Sequence, residues 1–261
     1  MKAASHVQCG AVVYMQKYKM IIAYDGTDYF GWQQQKKLPT IARTLEKKFL
    51  SVFGKKISIM GVSRTDAGVH ALGQVAQFCT DLQIAPEKMQ QAWSNVLPPE
   101  IVIKKIESVK DNFHLHANVQ EKTYHYNFFL DRPLPNVQRF GWYYQYPVDI
   151  EKLKNALQVF VGTHDFRSFC TGDEREDTVR TITDVSVQFI ETFGCYQITV
   201  RGQKFLRYMV RRIVGACLEV ASRDFLSVHC LQEALAQKNP QQTLPKAPAK
   251  GLVLHKVVYK T

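Results

Sequence analysis

The order of the predicted strands and helices constrains the fold of this chain more than any other feature. A strand over 20–24 is followed by a helix that begins at Thr40, carries apolar residues on one stripe and ends at Gly54. Two strands flank a glycine-punctuated loop, a second helix begins at Pro86, and a last strand begins at Ile101. This β-α-β-β-α-β order is the ferredoxin-like arrangement.

The second half of the chain repeats the pattern. Asp149 is predicted to cap a helix, and Leu206 opens the apolar stripe of another. The remaining predicted elements are strands over 124–130, 181–189, 196–200 and 252–259 and a short helix near 231–236. We expect a mobile surface loop over 171–180, where charged residues cluster.

These repeats predict an α+β fold with two ferredoxin-like (RRM-like) β-α-β-β-α-β halves, antiparallel sheets and a central catalytic cleft between them. The expected divisions are an N-terminal extension over 1–17, an N-terminal half over 18–112 and a C-terminal half over 113–261. A cleft between two such halves is where a ligand-sized pocket is expected. With 261 residues, 46% of them hydrophobic, the chain is long enough for this organisation.

The loop of the first half has the clearest chemical character. Asp66 follows the apolar alternation of residues 57–60, before a second strand over 75–79. Arg64 lies two residues away and projects to the same face in extended backbone, so we expect it to hold the pKa of Asp66 below about 3.9. An ionised, partly desolvated carboxylate is a usable nucleophile. An Asp in a loop can otherwise simply form a turn.

The formal net charge of +11 favours a polyanionic partner, because binding phosphates releases counterions. Paired lysines such as Lys36 and Lys37 are read individually as solvated surface. Tyr29, Phe30 and Trp32 look exposed, and unpaired bases stack on aromatic rings. Charge and aromatic residues together indicate a nucleic-acid partner.

Metal, disulfide and membrane functions find no support in the sequence. The six cysteines are scattered and form no C-x-x-C motif. His114 and His116 have H-x-H spacing, but no further ligand lies in register, so we predict no metal. No apolar run approaches the roughly 18 residues of a membrane span, and no secretory leader is apparent, so cytoplasmic residence is the default expectation.

The run SRTDAGVHALGQV, with YDGTDYFGWQQQ before it, resembles the tRNA pseudouridine synthase A (TruA) family, whose GRTDAGVHA-type signature carries the catalytic Asp. Further similar segments follow in order: NVLPPEIVI, FHLHANVQEKTYHY, HDFRSF, RTI, KFLRYMVRRIVG and APAKGLVLHKVVY. The resemblance therefore spans Tyr24 to Tyr259, and this breadth makes it specific.

The resemblance implies a role for each of five residues. Asp66 would be the nucleophile, and Arg211 would reach its carboxylate across the cleft. Arg64 would help to hold the target nucleotide out of its stack, Tyr124 would pack against the uracil ring, and Leu206 would contribute an apolar wall. From its position on the helix alone, Arg211 is equally well an ordinary solvent-facing arginine. From its position on the strand alone, Tyr124 is more commonly a core tyrosine.

The implied reaction is the isomerisation of uridine to pseudouridine, which breaks an N-glycosidic bond and forms a C-glycosidic bond. It needs no cofactor, and no G-x-x-x-x-G-K-[ST] or G-x-G-x-x-G motif indicates a nucleotide cofactor. Whether Asp66 attacks the ribose or the base stays open. The resemblance also implies a tRNA substrate, with uridines at positions 38, 39 and 40 of the anticodon arm, and a homodimer.

Three positions depart from the family pattern: Ser63 replaces a Gly, His116 replaces an Arg, and Val253 stands where an aromatic is frequent. Residues before Met15 have no family counterpart. The alternatives are a synthase of the same fold acting at other RNA positions, a non-catalytic RNA-binding protein, and a phosphate-handling enzyme with an aspartyl intermediate. Asp66→Asn separates an enzyme from a pure binder, because only the enzyme has activity to lose.

Overall fold

The computed structural model of the protein describes residues 15–171, 177–242 and 244–260. Within these ranges the chain forms ten strands and five α-helices. The strands are β1 (Gln16–Tyr24), β2 (Met60–Gly61), β3 (His70–Thr80), β4 (Ile101–Ser108), β5 (Val119–Phe129), β6 (Trp142–Tyr143), β7 (Gly162–Asp165), β8 (Val179–Ile190), β9 (Cys195–Gly202) and β10 (Leu252–Tyr259). The helices are α1 (Ile41–Phe53), α2 (Pro86–Ser94), α3 (Ile150–Gln158), α4 (Met209–Ser222) and α5 (His229–Gln237).

The strands of the described ranges join in one sheet with the order β4-β1-β3-β10-β5-β9-β8-β7, to which β2 adds beside β3 and β6 beside β5. Most neighbours are antiparallel; β10 beside β3 and β6 beside β5 are parallel. Helices and a mostly antiparallel sheet confirm the predicted α+β class.

Strand β10 joins the first strands of the sheet to the later ones. Its residues Val253 and Leu254 pair in parallel with His70 and Ala71 at the start of β3. On its other side, β10 runs antiparallel to β5, with Leu254 opposite Tyr124. The last strand of the chain therefore lies between the strand that follows the Asp66 loop and the strand that carries Tyr124.

Aromatic packing anchors α1 and α2 against the sheet. Phe49 of α1, Phe78 of β3 and Trp93 of α2 are each almost completely buried. Their ring centroids lie 4.8–5.8 Å apart in edge-to-face arrangements, which aromatic pairs favour. The predicted limits of α1 are confirmed, since it follows Thr40 and ends at Gly54, whose φ of 65° is left-handed.

Several predicted boundaries differ from the structure. The strand predicted over 57–60 is reduced to β2, although Ile59 is buried and Ser58 and Met60 are exposed as the alternation requires. Residues 16 and 17, assigned to the extension, belong to β1, while 1–14 lie outside the described residues. The loop predicted over 171–180 is shorter, because β8 begins at Val179; residues 172–176 are not described. The helix predicted from Leu206 begins only at Met209.

Candidate active site

Asp66 lies in the loop between β2 and β3, and the preceding aromatic segment fixes the backbone of this loop. The Trp32 N–H donates to the Thr65 carbonyl at 3.0 Å, and the Gly68 N–H donates to the Tyr29 carbonyl at 3.1 Å. Gly31 allows this close approach: its φ is 85°, and a Cβ there would lie 2.6 Å from the Thr65 oxygen. The loop is thus held from both sides of Asp66.

The same segment corrects one prediction about exposed aromatic residues. Trp32 is only 1% exposed and packs in the core, so it is not available to stack on a base. Phe30 is 45% exposed and lines the cavity described next, and Tyr29 is half-buried against the core. Of the three aromatic residues, Phe30 alone combines exposure with a place in the cavity.

A cavity of about 920 Å³ opens at the Asp66 loop. The five residues predicted for the site all line it, although they come from three distant parts of the chain. Arg64 and Asp66 belong to the loop, Tyr124 to β5, and Leu206 and Arg211 to the turn before α4 and its first turn. The fold therefore gathers the predicted residues around one space large enough for a nucleoside.

Asp66 and Arg211 form an ion pair at this cavity. Arg211 Nη1 lies 3.2 Å from Asp66 Oδ2, and the two side chains are 10% and 19% exposed. The Arg211 Nε donates to the Ala247 carbonyl at 2.8 Å, and the Ala247 N–H donates back to the Arg211 carbonyl at 3.0 Å. These bonds orient the guanidinium toward the carboxylate.

The pKa of Asp66 is raised, so the predicted lowering by Arg64 is wrong. Burial of the carboxylate raises this pKa, and the opposing attraction comes chiefly from Arg211, with Arg207 and Lys246 behind it. Arg64 is exposed at the rim and forms no ion pair with Asp66 among the described residues. The cations that act on Asp66 therefore come from the far end of the chain.

Arg211 is 8% exposed, so of the two positions left open by the helical pattern the structure shows the buried one. Tyr208 precedes α4 with a left-handed φ of 63°, which is rare for a bulky residue. Its ring centroid lies 4.8 Å from the Arg207 guanidinium carbon, 5.3 Å from that of Arg211 and 4.2 Å from Lys246 Nζ. Tyr208 thus gathers three cations beside Asp66 by cation–π attraction.

Tyr124 and Leu206 form the apolar side of the cavity. Tyr124 is 9% exposed, and its ring meets Phe205 edge to face at a centroid distance of 5.1 Å. Burial raises the pKa of Tyr124 to about 12, so its hydroxyl stays protonated at neutral pH. Leu206 is 5% exposed and lies before α4, not within the predicted helix.

Sequence reasoning missed Lys122, Tyr208 and Lys246 at this site. Lys122 had a usable signal, since it lies two residues before Tyr124 on a strand and must share its face. Lys246 belongs to a polar linker with no periodicity, and nothing in the sequence indicates the left-handed turn at Tyr208.

The described residues also bear on metal binding and on membrane insertion. No three His, Cys, Asp or Glu side chains within the described ranges are grouped so that they could hold a metal ion. Among the described helices, none has the length and apolar character needed to cross a membrane.

A largely buried carboxylate, paired with an oriented arginine in a cavity lined by several cations, is the kind of arrangement that enzyme active sites for anionic substrates have. The family model described as tRNA pseudouridine synthase matches residues 20–116 and 156–260. The chain belongs to this family, as the sequence resemblance predicts.

Individual relatives agree with this assignment. A tRNA pseudouridine synthase A of Thermodesulfovibrio yellowstonii is 37% identical over 256 residues, covering 94% of this chain and 100% of the relative. A tRNA pseudouridine synthase A of Thermoanaerobacter sp. is 36% identical, and a tRNA pseudouridine synthase A 1 of Desulfotalea psychrophila is 38% identical. Both comparisons cover 94% of this chain and 100% of the relative. The crystal structure of an unknown protein from Galdieria sulphuraria matches 72% of this chain and 81% of its own chain at 10% identity. Its TM-score of 0.22 is too low to show a shared fold.

Gly31→Ala tests whether the close backbone approach holds the Asp66 loop. We expect a loss of roughly 2–5 kcal/mol in unfolding free energy, from left-handed strain and from overlap with the Thr65 carbonyl. Gly54→Ala is the control, because its φ is also positive but a Cβ there meets nothing within 4 Å, so only about 1–2 kcal/mol is expected. Urea denaturation measures both; equal losses would show that the overlap is relieved without cost.

Asp66→Asn tests the electrostatic cost of the ionised carboxylate. Because the folded-state pKa is raised, ionised Asp66 opposes folding above that pKa, and this cost disappears as the pH falls below the unfolded value of 3.8. The variant should therefore unfold at higher denaturant concentration than the wild type at neutral pH, and the difference should shrink toward acid pH. Lower stability of the variant at pH 7 would mean that attraction to Arg211 outweighs burial.

Proposed function

We propose that this protein converts uridine to pseudouridine in tRNA, with Asp66 as the nucleophile. The observation that carries the proposal is the ion pair of Asp66 and Arg211 in a cation-lined cavity of a chain that belongs to the tRNA pseudouridine synthase family. The relatives named tRNA pseudouridine synthase A support the same activity and substrate class for this chain.

The reaction rearranges bonds without adding or removing atoms overall. The bond between uracil N1 and the ribose anomeric carbon breaks, the base rotates, and uracil C5 bonds to the anomeric carbon. The proton of C5 is lost, and N1 gains one. Asp66 can start the sequence by attacking the anomeric carbon or the uracil ring, and the bond that it forms breaks again before the product leaves. Both routes need an ionised carboxylate, which Arg211 favours.

The cavity lining supports distinct roles for the surrounding residues. The target nucleotide must leave its stack, since its reacting atoms are inaccessible within a helix. Arg64, which is exposed and lines the cavity with Asp66, would help to hold the target nucleotide out of its stack. Tyr124 offers a neutral aromatic edge to the detached base, and Leu206 closes the apolar wall. The base could then rotate without escaping.

The division into two ferredoxin-like halves, 18–112 and 113–261, belongs to the same proposal. Its support is the order of the strands in the sheet. The first four strands have the order β4-β1-β3-β2, and four of the later strands have the order β10-β5-β9-β8. In both sets, the strand that comes fourth in the chain lies beside the strand that comes first. Two like sets that meet along β3 and β10 would place the Asp66 loop at their junction.

The finer substrate assignment comes from the family resemblance. We expect modification of uridines at positions 38, 39 and 40 of the anticodon arm by a homodimer in which each tRNA contacts both subunits. We also expect the protein to act in the cytoplasm. The net charge of +11 supports a polyanionic substrate of this size.

A non-catalytic RNA-binding protein is the second candidate, supported by charge alone. Such a protein has no use for a carboxylate whose pKa is raised by burial, because a negative charge in the cavity repels phosphates. The position of Asp66 therefore favours the enzyme.

Removing the carboxylate tests catalysis directly. Asp66→Asn should lower the rate of pseudouridine formation in unmodified tRNA by at least roughly a thousandfold, because the nucleophile is lost, while tRNA affinity persists. Arg211→Gln should lower the rate on the order of a hundredfold, because the carboxylate loses its oriented cation. Asp184→Asn, a change of a half-exposed side chain on β8 that does not line the cavity, is the control and should leave the rate unchanged. A synthase with full activity in Asp66→Asn would refute the nucleophile.

Mapping the product tests the substrate assignment. Purified protein incubated with unmodified tRNA should produce pseudouridine at positions 38, 39 and 40, read by chemical sequencing, and a reaction without protein is the control. Conversion confined to other positions would refute the anticodon-arm assignment and keep the reaction. No conversion in any tRNA would refute the proposed function.

A further inference from the structure

Lys122 is a cation of the cavity for which the proposed reaction gives no role. It lies on β5 two residues before Tyr124, so both side chains share one face of the strand, and both line the cavity with Asp66. Its Nζ donates to the Val62 carbonyl at 2.9 Å, at the start of the Asp66 loop. An ammonium has three N–H donors, so two remain for another acceptor.

No counter-charge to Lys122 is found in the part of the chain that the structure describes. Across the described residues, no carboxylate lies within ion-pair distance of Lys122, although exposed lysines elsewhere have such partners, as Lys55 has in Asp81. The neighbouring charges are Lys204, which acts on Lys122, and His116, on which Lys122 and Arg64 act. Four cationic or titratable basic groups, Lys122, Lys204, Arg64 and His116, therefore lie together, and none of them has a carboxylate at ion-pair distance within the described ranges.

This arrangement is costly for the folded protein. Burial, with repulsion from Lys204, lowers the pKa of Lys122 to about 8. A half-buried ammonium whose only bond is to a neutral carbonyl, with no counter-ion, is unfavourable unless an anion arrives with a ligand. The Asp66 carboxylate does not fill this need, because its ion-pair partner is Arg211.

We propose that Lys122 binds a backbone phosphodiester group next to the target nucleotide, and that Arg64 and His116 complete this phosphate subsite at the rim of the cavity. The inference rests on the proposed function, since the RNA brings the anion. A phosphodiester is negatively charged at every working pH, and a charge-assisted N–H···O bond is strongest where water is partly excluded. Because Lys122 and Asp66 line one cavity, the phosphate held by Lys122 would fix the sugar in front of the carboxylate.

The experiment separates the charge of Lys122 from its structural bond to Val62. Lys122→Gln removes the charge but keeps an N–H donor for the carbonyl, Lys122→Arg keeps the charge, and Lys47→Met removes an exposed charge on α1 as the control. The Kd for unmodified tRNA is measured over a series of salt concentrations. Lys122→Gln should weaken binding about tenfold and reduce the slope of log Kd against log salt by about 0.7–0.9, the change expected for one lost phosphate contact.

The phosphate is identified with tRNA assembled by ligation so that one phosphodiester beside a target uridine is a neutral methylphosphonate. At one position the wild type should lose about tenfold in affinity, while Lys122→Gln loses nothing further, because the two changes remove the same contact. Lys122→Arg should behave like the wild type, and Lys47→Met should keep the wild-type response to the methylphosphonate.

Three results would overturn the subsite: unchanged affinity in Lys122→Gln, a loss no larger than that of Lys47→Met, or a methylphosphonate effect of the same size in Lys122→Gln as in the wild type. The readout is binding, so failure of the subsite is distinct from failure of the proposed function, which would appear as no pseudouridine formed by the wild type on unsubstituted tRNA.

Discussion

The pairing of β10 between β3 and β5 is the constraint on which the site depends. Through it, the last strand of the chain adjoins the strand that begins four residues after Asp66 and the strand that carries Tyr124. The segment just before β10 supplies the Ala247 carbonyl, which orients Arg211 toward Asp66. The candidate site is thus a product of long-range sheet pairing, because the Asp66 loop supplies only part of its residues.

The ion pair of Asp66 and Arg211 is not a device that stabilises the folded protein. Burial raises the pKa of Asp66 despite the nearby guanidinium, so the folded protein disfavours the charged carboxylate. The left-handed backbone of Tyr208, which brings Arg207, Arg211 and Lys246 to one ring, adds local strain. Such costs concentrate where a fold holds groups for chemistry, and the aromatic core around Phe49 and Trp93 offsets them elsewhere.

The sequence predicted those features that depend on local pattern. The structure confirms the predicted limits of α1 and of β10. It also confirms that Asp149 caps α3, since its carboxylate accepts from the Lys152 N–H. These features are predictable because apolar stripes, caps and alternation depend only on residues close together in the sequence. Tertiary packing decided the rest. Trp32 is buried under the Asp66 loop, although the local pattern suggested that it is exposed. Arg211 is buried on α4, although the local pattern did not decide between a buried and a solvent-facing position.

The raised pKa of Asp66 has a direct bearing on its chemistry. A carboxylate that water and arginines stabilise fully is a weak nucleophile, whereas one that is partly desolvated is more basic and more reactive. Arg211 must still keep it ionised at neutral pH, and its fixed hydrogen bond to Ala247 prevents it from swinging away when an RNA phosphate enters. In the proposed subsite the phosphate has cations of its own, because Lys122, Arg64 and His116 line the same cavity and none of them forms an ion pair with Asp66 among the described residues.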